Sequence, residues 1–237
     1  ARVMHGMQRY RNREEDTAQG ILDRAHALST SPTCDDCRQV QGAVLEAKGH
    51  LANHSGNHKQ ALNYFLEAQK LFRAAGFQRG QGTVANNIGL IYLISGKPDR
   101  AAEHFRTLLE MGQALDNRRL QAIAHMNLGN AYREQGEDSL AEAAFWNSYE
   151  IQATIGNLEE QVGLLNNIGM LQRQRGDYQA SIQTLQQAIA LQPRESHSAN
   201  LIFANLNLTY SLLAAGRIDA ARRQADRCWN MGQHSPN

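Results

Sequence analysis

The chain has 237 residues, 24 basic and 23 acidic side chains for a formal net charge of +1, and 42% hydrophobic against 20% charged residues. That balance gives no sign of the concentrated basic face that holds phosphate backbones, so nucleic acid is not expected as a partner. No apolar run approaches the roughly 20 residues of a membrane-spanning helix, so no membrane span is expected either.

Residues 1–13 are weakly patterned. From Glu14 to Leu28, the residues Ala18, Ile21, Leu22, Ala25 and Leu28 recur at helical spacing and form an apolar stripe. Residues 29–33, Ser-Thr-Ser-Pro-Thr, break that helix, and Asp35 or Asp36 stands where it can cap the next. Helix pairs are then expected at 36–54 and 58–75, 80–95 and 98–114, 119–135 and 138–154, 159–175 and 178–191, and 197–215 and 218–231. Gly76, Asn117, Gly156 and Pro193 fall between pairs and end the second helices. The last helix, Ile218 to Met231, has no capping helix after it. More chain, a partner or self-association through this C-terminal helix is therefore expected at that end. Ala1 stands where an initiator methionine would, which suggests an excised piece of something larger.

The helix pairs repeat. Gly89, Tyr92, Gly96, Ala101 and Phe105 return forty residues later as Gly129, Tyr132, Gly136, Ala141 and Phe145. Another step keeps Gly169 and Gly176, with Gln172, Ser181 and Leu185 in the other places; a step backward gives Gly49, Ala52, Gly56, Ala61 and Phe65. The last copy keeps Gly216 and Ala221 beside Thr209, Leu212 and Ala225. A glycine inside a helix costs about 1 kcal/mol against alanine, so its return in register implies close helix packing. One hairpin cannot bury its apolar stripe alone, which makes the stack the folding unit.

This pattern resembles the tetratricopeptide repeat family from about Val40 to Met231. Copies two and three carry the whole signature: a small residue, an aromatic three later, a turn glycine, then alanine and an aromatic on the second helix. The spacing exceeds the family's usual repeat of about 34 residues. It is similar to the longer-helix subgroup of scaffold, motor-adaptor and bacterial regulatory proteins. The resemblance implies an all-α fold, a right-handed α-solenoid of tandem helix-turn-helix repeats. The divisions would be an N-terminal half-repeat and linker at 1–33, then repeats at 34–78, 79–118, 119–158, 159–195 and 196–237.

Three cysteines bear on compartment and chemistry. Cys34 and Cys37, in the string CDDC, permit a local disulfide in an oxidising compartment and a thiol pair elsewhere. A cytoplasmic location is the expectation, with the bacterial periplasm the alternative if the two are joined. Cys228 falls where a buried core residue is expected. The spacing Cys34-x2-Cys37-x12-His50-x3-His54 satisfies a zinc-finger formula, but one helix from 36 to 54 would hold Cys37 and His50 about 20 Å apart, beyond the reach of one zinc. His50, His54 and His58 lack a carboxylate to complete a metal set, so polar surface lining is preferred. No phosphate loop and no nucleophile–base arrangement stands out. No cofactor, no metal and no enzymatic activity are expected.

The strongest functional signal is a ladder of asparagines. Asn87, Asn127, Asn167 and Asn207 each lie two residues before the marker position, one repeat apart. Asparagine is a mediocre helix former with no value in an apolar core. In the resembled family this place faces the concave groove, where asparagines clamp the backbone of an extended peptide. A side-chain amide suits that task because it both donates and accepts. A structural ladder between successive helices is the alternative. One turn on stand His50, Leu90, Asn130, Met170 and Tyr210, and three residues further Asn53, Leu93, Arg133, Arg173 and Leu213. Arg133 and Arg173 together suit a carboxylate, and Phe203, Leu206 and Tyr210 suit an apolar anchor. The expected function is a non-enzymatic module that holds a peptide or protein partner in its groove through Asn87, Asn127, Asn130, Asn167, Asn207, Arg133, Arg173 and Tyr210. The alternative is a sensory input domain of a bacterial signalling protein, with twenty arginines against four lysines in keeping with a bacterial source.

Overall fold

A computed structural model describes residues 17, 20–24, 27, 37–191 and 198–233. Among these, all regular structure is helical: α1 (Arg38–His54), α2 (His58–Ala74), α3 (Gln78–Ile94), α4 (Pro98–Ala114), α5 (Arg118–Gln135), α6 (Asp138–Ile155), α7 (Leu158–Gln174), α8 (Tyr178–Ala190), α9 (Ala199–Ala214) and α10 (Ile218–Gln233). The fold is all-α and of the α-solenoid class, built from tandem helix-turn-helix repeats. The chain divides into two compact units, Ala1–Met111 and Gly112–Asn237, and α4 crosses the division.

Local sequence accounts for the helix ends. Gly136 closes α5 in the left-handed region at φ 78°, which glycine reaches without the Cβ penalty, and its N–H bonds the Arg133 carbonyl at 3.0 Å. Asp116 adopts φ 47° in the turn where the copies before and after carry Gly76 and Gly156. Asn117 does not belong to the end of α4: its Oδ1 accepts from the Leu120 N–H at 3.2 Å and caps α5. Asn57, Asn157 and Ser198 cap α2, α7 and α9 in the same way. Cys37 stands at the N-cap of α1 without a side-chain cap bond, while Asp35 and Asp36 lie outside the described residues.

In the first unit α2 packs between α1 and α3, and α3 meets α4 where Gly89 faces the Phe105 ring. In the second, α5 to α10 pack each on the next, and the first helices α7 and α9 also touch directly. The marker glycines explain how closely the hairpins close. A Cβ at Gly49, Gly89 or Gly129 would stand 2.5 Å from Cε1 of Phe65, Phe105 or Phe145, closer than any carbon contact allows. In copy four the partner of Gly169 is Leu185 at 2.6 Å. Copy five, with Ala225 on its second helix, carries Thr209 in place of the glycine. Buried hydroxyls add polar ties: Ser148 Oγ donates to the Ala122 carbonyl at 2.9 Å, and Ser181 Oγ to the Gly169 carbonyl at 2.6 Å.

Copy one departs from the pattern at its centre. Lys48 occupies the position held by Ile88, Leu128, Ile168 and Leu208 in the other copies, and it is only 7% exposed. Its Nζ lies 2.6 Å from Oδ1 of Asp23, on the helical residues 20–24. Of the apolar stripe expected over residues 14–28, Leu22 is half-buried but Ile21 is exposed, and Ala18, Ala25 and Leu28 lie outside the described residues. Cys228 is half-buried, not a core residue; burial raises its thiol pKa against a hydrogen bond with Thr209. Cys37 is disulfide-bonded, and Cys34 lies outside the described residues. No helix among the described residues is long and apolar enough to cross a membrane.

Candidate functional site

In copies two to four the first helix has one buried side, carrying the marker glycine and the apolar residue before it, and one side turned outward; copy one has Lys48 before its glycine and copy five has Thr209 at the marker position. In the second unit that outward side holds Asn130 and Arg133 on α5, Asn167, Met170 and Arg173 on α7, and Tyr210 and Leu213 on α9. All are half-buried or exposed because they sit three or four residues from one another, away from the stripe that meets the second helices.

The four ladder asparagines have different surroundings. In the first unit Asn87 is buried, and its Nδ2 lies 3.2 Å from Nε2 of His50 on α1. His50 sits edge-on to the Phe65 ring, centroids 5.3 Å apart, with its Nε2 3.9 Å from Glu46 Oε1. Burial raises the Glu46 carboxyl above its ordinary range, against the pull of His50. In the second unit Asn127 is buried, only 4% exposed. Asn207 is half-buried and donates through Nδ2 to Asn166 Oδ1 at 2.8 Å, tying α9 to α7. Asn167 and Asn130 are half-buried, and among the described residues neither side-chain amide makes a hydrogen bond.

The charged and aromatic members also differ. Arg133 lies 3.4 Å from Glu134 Oε1. Arg173 has no carboxylate partner among the described residues; its guanidinium carbon stands 5.9 Å from the centroid of the Tyr210 ring. Tyr210 is 54% exposed, and Phe203, Leu206 and Leu213 on the same helix are exposed with it. Nearby Arg175 is paired with both Glu142 and Asp177. Sequence spacing groups Arg133 with Arg173, but among the described residues Arg133 has an acidic neighbour, Glu134, and Arg173 has none. Asn166, bonded to Asn207, was missed as well; its position just before a ladder asparagine was the available signal.

Three recesses of about 420 to 480 Å³ are described in the second unit, and none of the eight sequence-predicted residues lines any of them. His58 Nδ1 is 2.9 Å from Asn53 Oδ1, and no three His, Cys, Asp or Glu side chains converge among the described residues.

Sequence comparison matches the family described as Tetratricopeptide repeat at residues 40–114, 80–154 and 162–195. No curated protein matches the sequence. Among solved structures, BtubC (BKLC) from P. vanneervenii is similar at TM-score 0.78 and 18% identity, over 95% of this chain and 94% of that one. The apo form of RapI is similar at TM-score 0.75 and 16% identity, over 96% and 80%. NprR in complex with its cognate peptide NprX is similar at TM-score 0.62 and 15% identity, over 95% of this chain and 64% of that one. At these identities the likeness is one of fold, and it agrees with the family matches, which span more than half of the sequence: the chain belongs to the tetratricopeptide repeat family.

Proposed function

We propose that this protein is a non-enzymatic binding module that holds an extended segment of a peptide or partner protein against the outward face of its first helices. In the second unit the contact residues are Asn130, Arg133, Asn167, Arg173, Asn207 and Tyr210; Asn127 there, and Asn87 in the first unit, hold the ladder register but are buried. The observation that carries this reading is the pair of half-buried amides, Asn130 and Asn167, that bond to nothing among the described residues. An amide that is partly desolvated and unbonded gains most when a ligand supplies a backbone N–H and C=O together. Asn207, bonded to Asn166, fixes α9 against α7, the helix that presents the free amide of Asn167. The solved complex of NprR with a cognate peptide supports a peptide as the ligand of such a fold.

A second reading is a sensory input domain, in which the same face reports a peptide to an output domain. It is favoured by the similarity to NprR, of which this chain covers 64%. Binding of a diverse peptide library to the wild type and to Asn130→Ala/Asn167→Ala, with circular dichroism to confirm helicity, tests the first reading. Peptides held by the wild type and lost by the folded double variant are expected. Equal binding by the two proteins would remove the amides from the site.

A further inference from the structure

The last hairpin leaves uncovered the side by which copy four holds copy five. On α7 that side is formed by Gly163, beside Asn200, by Asn166, bonded to Asn207, and by Arg173, against Tyr210. One repeat on, the same positions of α9 are Phe203, Leu206 and Leu213, all exposed, with Tyr210 among them. The second helices agree. Ile182 and Leu185 on α8 are buried, but Arg222 and Ala225 in their register on α10 are exposed. Ile218 and Trp229 extend that helix face, and the Trp229 side chain is 70% exposed.

A terminal repeat normally carries a polar outer face. Here the opposite holds, because Phe203, Leu206 and Leu213 are larger and more apolar than Gly163, Asn166 and Arg173 before them. The helix α9 meets α7 through the amides of Asn200 and Asn207. A further repeat built in that way would press amides onto the apolar stripe and leave them unbonded. The end face thus suits an occupant as apolar as itself.

Its spacing identifies that occupant. Phe203, Leu206, Tyr210 and Leu213 follow at three, four and three residues; Ile218, Arg222, Ala225 and Trp229 follow at four, three and four. Each pattern reads the same in both directions, so a helix laid antiparallel on its own copy brings every member against another. The two patterns are centred at the level of Leu208 and between Arg223 and Gln224. The Gln224–Asn205 hydrogen bond, 2.7 Å, sets α10 against α9 so that these levels differ by less than one turn of about 5.4 Å. One two-fold axis can therefore serve both helices.

From this we infer that two copies of this chain associate end to end through the last hairpin, α9 on α9 and α10 on α10, about that axis. Phe203 packs on the partner subunit's Leu213, Leu206 on the partner subunit's Tyr210, and Ile218 on the partner subunit's Trp229. Arg222 comes beside the partner subunit's Asp226, twice over, and neither residue has an ion-pair partner among the described residues of its own chain. Two helices of 16 residues about 10 Å apart give a footprint on the order of 500 Å² per copy, or about 1,000 Å² in all, the lower limit for a specific interface. Association at micromolar concentration fits that size. It does not depend on peptide binding, since Asn130 and Asn167 lie on α5 and α7, outside this hairpin.

Sedimentation velocity on the full chain, from roughly 1 to 200 μM, tests this. The mass is expected to rise from 26.4 kDa toward twice that value. Leu206→Glu and Leu213→Glu each bring two carboxylates into the contact and should weaken association roughly a hundredfold or more, with helicity unchanged by circular dichroism. Leu140→Glu, at an exposed leucine on α6, should change nothing. Arg222→Asp should weaken association severalfold, and adding Asp226→Arg to the same chain should restore it, because the pair is only exchanged. In the wild type, iodide quenching of tryptophan emission should fall with concentration as Trp229 is covered, a readout that needs no variant. A monomer throughout that range overturns the inference. So does a dimer indifferent to both leucine variants, or a mass that climbs beyond two copies, the mark of a head-to-tail contact that does not close. Charge reversal without restoration would overturn the pairing of α10 with itself.

Discussion

Gly129 and Phe145 are fitted to one another: a Cβ on the glycine would stand 2.5 Å from Cε1 and 2.6 Å from Cδ1 of the ring. Phe145 is fully buried, so the ring has little room to give way. Gly129→Ala is expected to lower stability by about 1–3 kcal/mol through overpacking, despite the better helix propensity of alanine. Phe145→Ala alone leaves a cavity and costs about 3–5 kcal/mol. In the double variant the two changes relieve each other, so urea denaturation should show a coupling of at least about 1 kcal/mol. Additive effects would show that the contact does not govern the close approach of α5 and α6.

The Lys48–Asp23 pair supports a second expectation. Lys48 is buried at a position that is Ile or Leu in every other copy, while the Asp23 side chain is 56% exposed. Asp23→Asn leaves the buried ammonium without its carboxylate and should cost about 1 kcal/mol, a modest figure because half of the partner is in water. Lys48→Met removes the need for that partner and should be neutral or stabilising. Thermal melts of Asp23→Asn, Lys48→Met and the double variant would check this, the double variant melting above Asp23→Asn alone.

Acidification should weaken the fold through two histidines. Burial lowers the pKa of His104, on which Glu103 acts in the opposite direction, and burial also lowers that of His125, each from an ordinary 6.5. His104 stacks on Tyr92 with ring centroids 5.5 Å apart, and the Arg100 guanidinium carbon lies 5.7 Å from the centroid of the same ring. The unfolded chain takes up these protons near 6.5 and the folded chain only at lower pH. Their contribution is therefore complete above about 6.5 and is lost as pH falls toward the folded values. Glu46, whose pKa is raised, acts in the opposite sense: its penalty is relieved on acidification. The urea midpoint should fall between pH 7.5 and 5.5, and fall less in His104→Gln/His125→Gln. An unchanged slope in that variant would assign the loss elsewhere.

Much of the architecture was legible because it is written in local and periodic terms. The marker glycines, the turn glycines and the apolar spacing of copies two and three each report a constraint within one hairpin, and the helices fall within a few residues of the expected spans. Side-chain partnerships were less legible, since they join residues 37 to 41 apart in sequence, as in Asn87 with His50 and Asn207 with Asn166. Identical asparagines thus have different neighbours, and their spacing says nothing of which amides remain free. Repeat register places Lys48 in line with Ile88 and Leu128, but spacing alone does not show that Asp23, outside the repeats, supplies its carboxylate. Asn117 looked like the end of a helix because an asparagine suits either end; only the bond to the Leu120 N–H assigns it to the start.

The fit between marker residue and ring also bears on how such a chain can be reshuffled. Copies one to three pair Gly with Phe, copy four pairs Gly with Leu, and copy five puts Thr209 in line with Ala225. A crossover that joined the first helix of copy five to the second helix of copy three would set a threonine against a phenylalanine in a space that does not admit a single methyl carbon. The reverse crossover would leave a glycine facing an alanine across a void. Where the pairings differ, as between copies three and five, both helices of a hairpin must therefore be inherited together, whereas copies one to three, which share the glycine and the ring, can exchange either helix.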